Sequence, residues 1–436
     1  MTDIPSTGED CDLAIVGAGL AGGLIALALA ARRPDLRVLL VDSASCAGGN
    51  HIWSFFDSDV GEDARMLLAP LVTHRWNAGH DVRFPSGPRH LSIPYNSIAS
   101  NRMDVHLRDV LGERLILDAP VVALTPTQIR FSDDRVIDAR AVIDARGFIS
   151  NFATNRGTSA DEVHSGGCDP TAYPPRGRYS VACPAPSGAG HFLFGASGIC
   201  CGWQKFVGQR LRLDSPHGLD RPVIMDATVD QIDGYRFIYL LPQGRETLFV
   251  EDTRYADAPD LDVPAIRDRI AAYAFTRGWT VNAVEYEERG ALPVVKSGDF
   301  DQFWPPNDPV ARAGVRAGLF HPTTGYSLPA VAGFALWLAS HADLPGAELA
   351  KATRARAARH WRDMAFYRML GRMMFDAAPP GQRIRIFERF YGLPGPLIAR
   401  FYAGRCTFAD KIRILCGRPP VRITAAMRAM MKSSAA

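Results

Sequence analysis

The sequence predicts an α/β protein with a Rossmann-like nucleotide-binding domain, an inserted antiparallel-sheet domain and a helical C-terminal part. Three observations predict this order: a strand, glycine turn and helix near the N-terminus, short β-like runs through the middle, and a helical, basic and aromatic C-terminal stretch. We place the nucleotide-binding domain at residues 1–150 and 300–345, the sheet domain at 151–299 and the C-terminal region at 346–436.

The bulk composition is that of an ordinary globular protein. The 436 residues are 47% hydrophobic and 22% charged, and the net charge of +3 is too small to indicate a nucleic-acid partner. None of the eight cysteines forms a C-x-x-C pair, and no Cys/His spacing suggests a metal site. The polar, acidic N-terminus lacks the features of a signal peptide. We therefore expect a cytoplasmic protein with free thiols and no metal.

The N-terminal block is predicted to be a βαβ unit. The run DLAIVG predicts a buried strand, residues 20–33 predict an Ala/Leu-rich helix that Pro34 ends, and RVLLVD predicts a second buried strand. The uncharged residues 13–31 could instead be a membrane span, but their glycines favour a strand, a tight turn and a helix. A helix is expected at residues 102–111, and AVIDARG predicts a strand that returns to the first sheet.

The glycine turn of this unit matches a dinucleotide-binding motif. The pattern G-x-G-x-x-G is formed by Gly17, Ala18, Gly19, Leu20, Ala21 and Gly22. Gly17 would allow the turn, Gly19 would let the backbone approach a pyrophosphate, and Gly22 would let helix and strand pack closely. Asp42 ends the second strand, where its carboxylate can accept ribose hydroxyls. The alternative is a glycine-rich turn without a ligand.

The layout of the rest of the chain favours FAD over NAD as the dinucleotide. A long antiparallel insertion follows the first block, and a second glycine turn with a helix appears near Gly325, which suits the extended FAD molecule. This late helix, preceded by residues 321–325, could aim its N-terminus at the flavin edge and stabilise an anionic reduced flavin. The alternative is a plain loop before a core helix.

Several motifs, in order along nearly the whole chain, resemble the bacterial lycopene cyclases. They are GGNHIWSF at 48–55, GWQKFVG at 202–208, PVIMDAT at 222–228, DGYRF at 233–237, FVEDT at 249–253, GLFHPTTGY at 318–326, and RFY at 389–391 and 400–402. Plant cyclases of this family carry two glutamates in the acidic motif, whereas the second acid here is Asp252.

The resemblance implies an enzyme that isomerises lycopene, through γ-carotene, to β-carotene, with other carotenoid enzymes as possible partners. It implies FAD in the reduced form, with NADH or NADPH as reductant, in a reaction without net redox change. Gly49 and Arg102 join the glycine motif, Asp42 and Gly325 as expected cofactor-binding residues. An ε-ring cyclase would differ only in which proton leaves. The rivals are an FAD-dependent monooxygenase of an apolar substrate and a carotenoid-binding flavoprotein without catalysis.

Cyclisation needs a proton donor, a dry cavity, cation stabilisation and a base, and the acidic motif could supply the donor and the base. In a strand, Thr247, Phe249 and Glu251 share one face, and Asp252 lies on the other. We therefore expect Glu251 to act as acid and base, with Asp252 as a second catalytic carboxylate or as an anchor of the strand end through backbone hydrogen bonds. A solvated strand-end carboxylate is the alternative reading of Glu251.

Aromatic residues are the expected lining of the substrate site. Tyr235, Phe237 and Tyr239 alternate on one strand face and, with Phe249, could stabilise a cation or line a polyene tunnel. Ordinary sheet core is an equal alternative. Asp226 could be a further site carboxylate, although a turn or strand-end role is favoured.

The C-terminal tail is expected to bind a membrane surface, from which a C40 hydrocarbon must be taken. From Arg383 onward the chain has 11 Lys/Arg and 2 acidic residues, interleaved with Phe, Tyr, Leu and Ile. The alternative is a solvated basic helical tail. We therefore expect a cytoplasmic protein that associates peripherally with the cell membrane.

Overall fold

The computed structural model describes residues 10–147, 198–417 and 423–431. Its strands are β1 (Cys11–Val16), β2 (Val38–Val41), β3 (Ile52–Phe56), β4 (Val72–Trp76), β5 (His80–Phe84), β6 (Gly87–Leu91), β7 (Tyr95–Ala99), β8 (Leu115–Ile116), β9 (Val121–Leu124), β10 (Gln128–Phe131), β11 (Val136–Asp144), β12 (Ile199–Leu213), β13 (Val223–Asp226), β14 (Tyr235–Pro242), β15 (Thr247–Ala256), β16 (Val281–Gly298) and β17 (Ala311–Arg312). Its helices are α1 (Leu20–Arg32), α2 (Glu62–Leu68), α3 (Ser100–Leu111), α4 (Val263–Thr276), α5 (Phe300–Phe303), α6 (Leu328–Ala339), α7 (Gly346–Asp363), α8 (Ala365–Asp376), α9 (Ile384–Tyr391), α10 (Gly395–Tyr402), α11 (Phe408–Leu415) and α12 (Ile423–Met431).

The first sheet is the expected nucleotide-binding sheet. Its strand order is β8-β2-β1-β11-β10-β9, with β17 paired to β11, and β1 is parallel to both β2 and β11. Strand β1 is apolar on both faces because both are buried. One face packs on α1 and α6, and the other belongs to an apolar cluster that includes residues of β10 and β11. The predicted strand, glycine turn, helix and returning strand are all confirmed.

The second sheet is the expected antiparallel sheet, with the order β16-β12-β15-β14-β13-β5-β6. Strands β5 and β6 come from the sequence before residue 100, and β5 joins the sheet parallel to β13. The domain boundaries stay predictions, although these two strands extend the sheet beyond residues 151–299. The run HFLFGAS at 191–197, also expected to be β-like, lies outside the described residues.

The two faces of the second sheet have different covers. Helix α4 packs on one face over an aliphatic core that includes Val207, Leu248 and Val250. The C-terminal helices pack on the other face over a core rich in tyrosine and phenylalanine, which we call the aromatic cluster; among its members are Phe56, Tyr95, Tyr235, Phe237, Tyr239, Phe249, Tyr255, Tyr286, Tyr391 and Tyr402. The helical C-terminal part is therefore confirmed, and it closes the aromatic face.

A small third sheet, β3-β7-β4, contributes side chains to the cores of both large sheets. Tyr95 and Phe56 are paired across it and enter the aromatic cluster, whereas Phe55 and Ile98 enter the nucleotide-domain core. In the described parts of the chain, no helix has the length and apolarity needed to cross a bilayer. Residues 13–31, which could have been a span, are divided among β1, the glycine turn and α1.

Candidate active site

The glycine turn after β1 has the geometry that the motif predicts. Gly17 has a φ of +106°, and a Cβ atom there would lie 2.7 Å from the Arg146 nitrogen. A Cβ atom at Gly22 would lie 1.9 Å from the Gly17 oxygen, so helix α1 needs a glycine to pack on the turn. A Cβ atom at Gly19 would meet no described residue within 4 Å. The open space therefore lies at Gly19, where the motif expects a pyrophosphate, beside a helix N-terminus without a side-chain cap.

Asp42 holds the glycine turn against the end of β2. Its carboxylate accepts hydrogen bonds from the Ala18 nitrogen at 2.6 Å and from the Ala44 nitrogen at 2.9 Å. The Gly48 nitrogen donates to the Ala18 oxygen at 2.7 Å, so the segment that leads to Gly49 lies beside the same turn. The cofactor residues expected here are thus close together, with half-buried Asp42 at their edge.

Arg102 has a different surrounding from the glycine turn. It lies in the first turn of α3, its side chain is exposed, and its Nε atom donates to the Pro70 oxygen at 2.9 Å. In this structure the guanidinium is therefore engaged by a carbonyl of the 69–71 turn.

The late glycine turn connects the first sheet with the second. Gly325 has a φ of +72°, and its nitrogen donates to the His321 oxygen at 2.8 Å, which closes the turn before α6. A Cβ atom at Gly325 would be 3.3 Å from the Leu292 side chain of β16. Burial lowers the pKa of His321 to about 3, so its imidazole is neutral. The turn thus lies between the N-terminus of α6 and the antiparallel sheet.

Glu251 lies on the aromatic face of strand β15. Its neighbour Phe249 is buried in the aromatic cluster, whereas Leu248 and Val250 pack beneath α4, as the strand alternation predicts. The Thr253 hydroxyl donates a hydrogen bond to Glu251 Oε1. Burial raises the pKa of Glu251 to about 7, so a substantial fraction of this partly buried acid is protonated at neutral pH.

Asp252 lies on the opposite face and is surrounded by arginines. Both carboxylate oxygens accept from the Arg236 Nε atom, at 3.1 and 3.0 Å, and Arg236 Nη2 is 2.9 Å away. Arg254 and Arg269 approach to 3.6 and 3.5 Å. Asp252 has no exposed surface, and its partners are guanidinium groups rather than the backbone groups we expected. It therefore joins β14, β15 and α4, away from the face that carries Glu251.

The aromatic residues expected in the substrate site are all in the aromatic cluster. Tyr239 is paired with Glu251 across β14 and β15, and its hydroxyl is hydrogen-bonded to that of Tyr95. The ring of Tyr235 stacks on Phe387 of α9 at a centroid distance of 4.0 Å and lies 5.4 Å from Phe237. Burial raises the pKa of Tyr239 well above 10, so its hydroxyl stays protonated beside the acid.

Asp226 lies on β13 and is fully buried. Its carboxylate accepts from the Tyr273 hydroxyl and from Arg277 Nη2, each at 2.7 Å, and from the Thr228 hydroxyl at 2.5 Å. These bonds tie the end of β13 to α4, which matches the favoured reading of Asp226 as a strand-end residue.

Glu288 is a buried acid that the sequence reading did not single out. It lies on β16 with 3% of its surface exposed, and its Oε2 atom accepts from the Ile52 nitrogen at 2.8 Å and the Tyr286 hydroxyl at 3.0 Å. It belongs to the run YEERGALPVV, to which the sequence alone assigned no element and no neighbouring strand. One signal in the sequence could have pointed to this part of the sheet. Gly208 lies inside a long β-like run, and a glycine within a strand often marks a place where another group comes close to the backbone.

Comparisons with known proteins agree over nearly the full length. A family model described as Lycopene cyclase protein matches residues 12–428. The lycopene beta-cyclase of Pantoea ananas is 42% identical over 420 residues, which cover 96% of this chain and 98% of that protein. Those of Pseudescherichia vulneris and a Paracoccus species are 41% and 39% identical, each over 96% of this chain and 97% of the relative.

Solved structures of distant sequence share the fold. A geranylgeranyl bacteriochlorophyll reductase-like protein from Thermoplasma acidophilum has a TM-score of 0.53 at 13% identity and covers 97% of this chain and 96% of its own. HpxO of Klebsiella pneumoniae, solved with FAD, has a TM-score of 0.55 at 14% identity and covers 91% and 98%. At such identities the likeness shows the fold alone, and it confirms the predicted α/β fold class.

Proposed function

The chain belongs to the lycopene cyclase family, and on that premise we propose that it is a lycopene β-cyclase. It closes the ends of lycopene, through γ-carotene, to give β-carotene in carotenoid biosynthesis. The observation that supports this most directly is the carboxyl of Glu251, which lies among aromatic side chains and whose pKa burial raises to about 7. A carboxyl in such a place is able to hold a proton at neutral pH and to donate it to an apolar substrate.

Glu251 serves as both acid and base in this proposal. It donates its proton to a terminal alkene of the polyene, and the neighbouring double bond attacks the tertiary cation and closes the ring. The Glu251 carboxylate then takes up the ring proton that leaves, so the acid returns to its starting state. Neither atoms nor electrons are gained or lost, and the overall reaction is an isomerisation.

The aromatic cluster performs two tasks for the cation. The rings of Tyr235, Phe237, Tyr239 and Phe249 keep water from a reactive carbon, and their π-faces attract positive charge. The neutral Tyr239 hydroxyl, hydrogen-bonded to Tyr95, adds no base that would remove a proton early. Asp252 is held by its arginines on the other face, so our proposal gives it a structural role.

The glycine turn and the late glycine turn fit FAD. The open space at Gly19 and the uncapped N-terminus of α1 suit a pyrophosphate, half-buried Asp42 lies where a ribose would bind, and Gly325 precedes a second helix N-terminus at the antiparallel sheet. Reduced FAD, with NAD(P)H as reductant, supplies when bound a negative charge that stabilises the cation electrostatically.

Substitution of Gly19 by valine should remove FAD while leaving the protein folded. The backbone at Gly19 has an ordinary φ of −72°, and its Cβ position is open, so the valine fills only the space assigned to the pyrophosphate. Flavin absorbance of the purified protein, against its circular dichroism spectrum, measures both effects. Gly22→Ala is the contrast, because its Cβ would collide with the Gly17 oxygen and should lower stability. A folded Gly19→Val protein with a full complement of FAD would remove this turn from the cofactor site.

The function itself is tested by identifying the pigment made from lycopene. Lycopene-loaded liposomes are incubated with the protein, FAD and NADPH without oxygen. The carotenoids are then separated by chromatography, and the molecular mass of each is measured by mass spectrometry. We expect γ-carotene and then β-carotene, each with the mass of lycopene. A product heavier by oxygen, formed only in air, would instead indicate the monooxygenase, and unchanged lycopene would indicate a carotenoid-binding protein.

Helix α11 is the part of the C-terminal tail that we assign to membrane contact. Phe408, Ile412 and Leu415 follow the helical repeat on one face and are 79%, 46% and 39% exposed. Exposed Arg405 and Arg413 lie beside this apolar face. Apolar side chains next to basic ones suit a bilayer with anionic headgroups, from which a C40 hydrocarbon has to be taken.

The double substitution of Phe408 and Ile412 by glutamate should weaken binding to anionic liposomes by at least about tenfold, because two apolar anchors are replaced by repelled charges. Co-sedimentation with liposomes at low and high salt measures it, and the binding of the unmodified protein should fall with salt. Phe275→Glu is the control. Phe275 is 84% exposed at the end of α4, which packs on the face of the second sheet opposite the C-terminal helices. Equal losses in both proteins would show that α11 is not the contact.

A further inference from the structure

Two acidic side chains flank a glycine on the aromatic face of the second sheet. Gly208 of β12 is paired with Glu251 of β15 on one side and with Glu288 of β16 on the other. Residues opposite one another across neighbouring strands point to the same face of a sheet, so both carboxyls emerge on the face of Tyr286 and Phe249. A side chain at 208 would collide with the Phe249 ring, which would lie 2.3 Å from its Cβ.

Glu288 has hydrogen-bond donors but, among the residues that the structure describes, no lysine or arginine partner. Besides the Ile52 nitrogen and the Tyr286 hydroxyl, Glu288 is approached by His51, whose half-exposed side chain places Nδ1 at 4.0 Å from Oε2. Its sequence neighbour Glu287 points to the α4 side and binds Arg267 and Gln209. No lysine or arginine of the described residues forms an ion pair with Glu288.

The charges around the pair favour retention of a proton by Glu288. Burial, and then the charge on Glu251, raise the pKa of Glu288 well above its usual range, against the hydrogen bonds from Ile52 and Tyr286. The groups that face Glu251 are the Thr253 hydroxyl and, on neighbouring elements, the tyrosines Tyr239 and Tyr326, whose pKa values burial raises. Glu288 is the more deeply buried of the two acids, so we assign to it the proton that the pair retains after its first ionisation.

We propose that Glu288 acts on the reaction through Glu251, as a positioning residue. Glu288 stores a second proton beside the catalytic acid and transfers this proton to Glu251 when Glu251 is ionised. The inference rests on the proposed function. In the transfer, the Glu288 carboxyl loses one proton and the Glu251 carboxylate gains it, so the pair keeps one proton and one negative charge. In this proposal, half-exposed His51 is the ionisable neighbour that connects Glu288 with solvent: its Nδ1 is 4.0 Å from Oε2, and burial lowers its pKa, so that the imidazole tends to be neutral.

Glu288→Gln tests the proposal through the pH profile of cyclisation. Glutamine can still accept hydrogen bonds from Ile52 and Tyr286, but it has no proton to return. With a pKa of about 7 and no reservoir, Glu251 should lose its acid form by about tenfold for each pH unit above that value. The unmodified enzyme should instead level off until Glu288 itself ionises. Near pH 6 the two enzymes should differ by no more than about threefold, because Glu251 is then mostly protonated in both.

A purely structural role of Glu288 would lower the cyclisation rate by the same factor at every pH. Either that result or identical pH profiles of the two enzymes would overturn the proposal. Glu287→Gln is the matched control, because it removes the adjacent acid on the opposite face and should leave the profile unchanged. Retained FAD and an unchanged melting temperature establish that the variants are folded.

A second readout does not depend on cyclisation. In infrared spectra at alkaline pH, the protonated-carboxyl C=O band should persist in the unmodified protein and in Glu251→Gln and be absent from Glu288→Gln. Persistence of the band in Glu288→Gln would contradict the reservoir. If the unmodified protein cyclised no lycopene yet showed this band pattern, the proposed function would fail and the assignment of the stored proton to Glu288 would stand.

Discussion

Glu251→Gln should cyclise lycopene about a hundredfold to ten-thousandfold more slowly than the unmodified enzyme, since that is the contribution of a well-placed general acid and base. Glutamine keeps the size of the side chain and can still accept the Thr253 hydrogen bond, but it has no acidic proton. The initial rate of γ-carotene formation in lycopene liposomes measures the effect, at several pH values below and above 7.

The loss should occur at every pH, which separates it from the pH-dependent loss expected of Glu288→Gln. FAD content, measured by absorbance, should stay normal because Glu251 lies on the second sheet, whereas our proposal assigns FAD to the glycine turns. If Glu251→Gln formed rings at the normal rate, Glu251 could not be the acid, and another proton donor would have to be sought within the aromatic cluster.

Asp252→Asn should destabilise the protein by about 3–5 kcal/mol, the usual cost of removing one partner from a buried ion pair. The change leaves Arg236, Arg254 and Arg269 near one another without their shared counter-charge. Urea unfolding followed by circular dichroism measures the free energy of unfolding. At a temperature where the variant is still folded, its rate per folded molecule should be close to normal.

A surface ion pair provides the control for this experiment. Asp63 pairs with Arg32 at 2.9 Å, but both side chains are largely exposed, so Asp63→Asn should cost less than about 1 kcal/mol. A catalytic Asp252 would behave in the opposite way, with nearly unchanged stability and a large loss of rate in the folded protein.

Local sequence patterns were sufficient to predict the nucleotide-binding half of the fold. Gly17, Gly19 and Gly22 predicted a strand, turn and helix. Backbone freedom at Gly17 and close packing at Gly22 leave only glycine at those two positions, and Gly19 keeps open the space that the motif expects for a pyrophosphate. The alternation in TLFVED likewise predicted that Glu251 and Asp252 face opposite sides, since side-chain direction in a strand is a local property.

The sequence could not predict which strands are neighbours. Glu288 became part of the candidate site only because β16 and β15 both pair with β12, and such pairing depends on contacts between distant parts of the chain. For the same reason β5 and β6 were not expected in the second sheet. The arginine partners of Asp252 were missed because they come from β14, β15 and α4, whose packing no local pattern specifies.

The central claim is that a proton supplied by the protein, without net redox change, closes the ring. It is tested most directly by running the anaerobic reaction in D2O and counting deuterium in the product. Glu251 is first equilibrated with D2O, and the enzyme is used in excess over lycopene, because the proton that leaves the ring returns to Glu251 and would otherwise be passed to the next ring. Since the added proton stays in the ring, we predict one deuterium in the first ring formed and no stoichiometric consumption of NADPH. A first ring without deuterium, or NADPH consumed once per ring, would contradict the account.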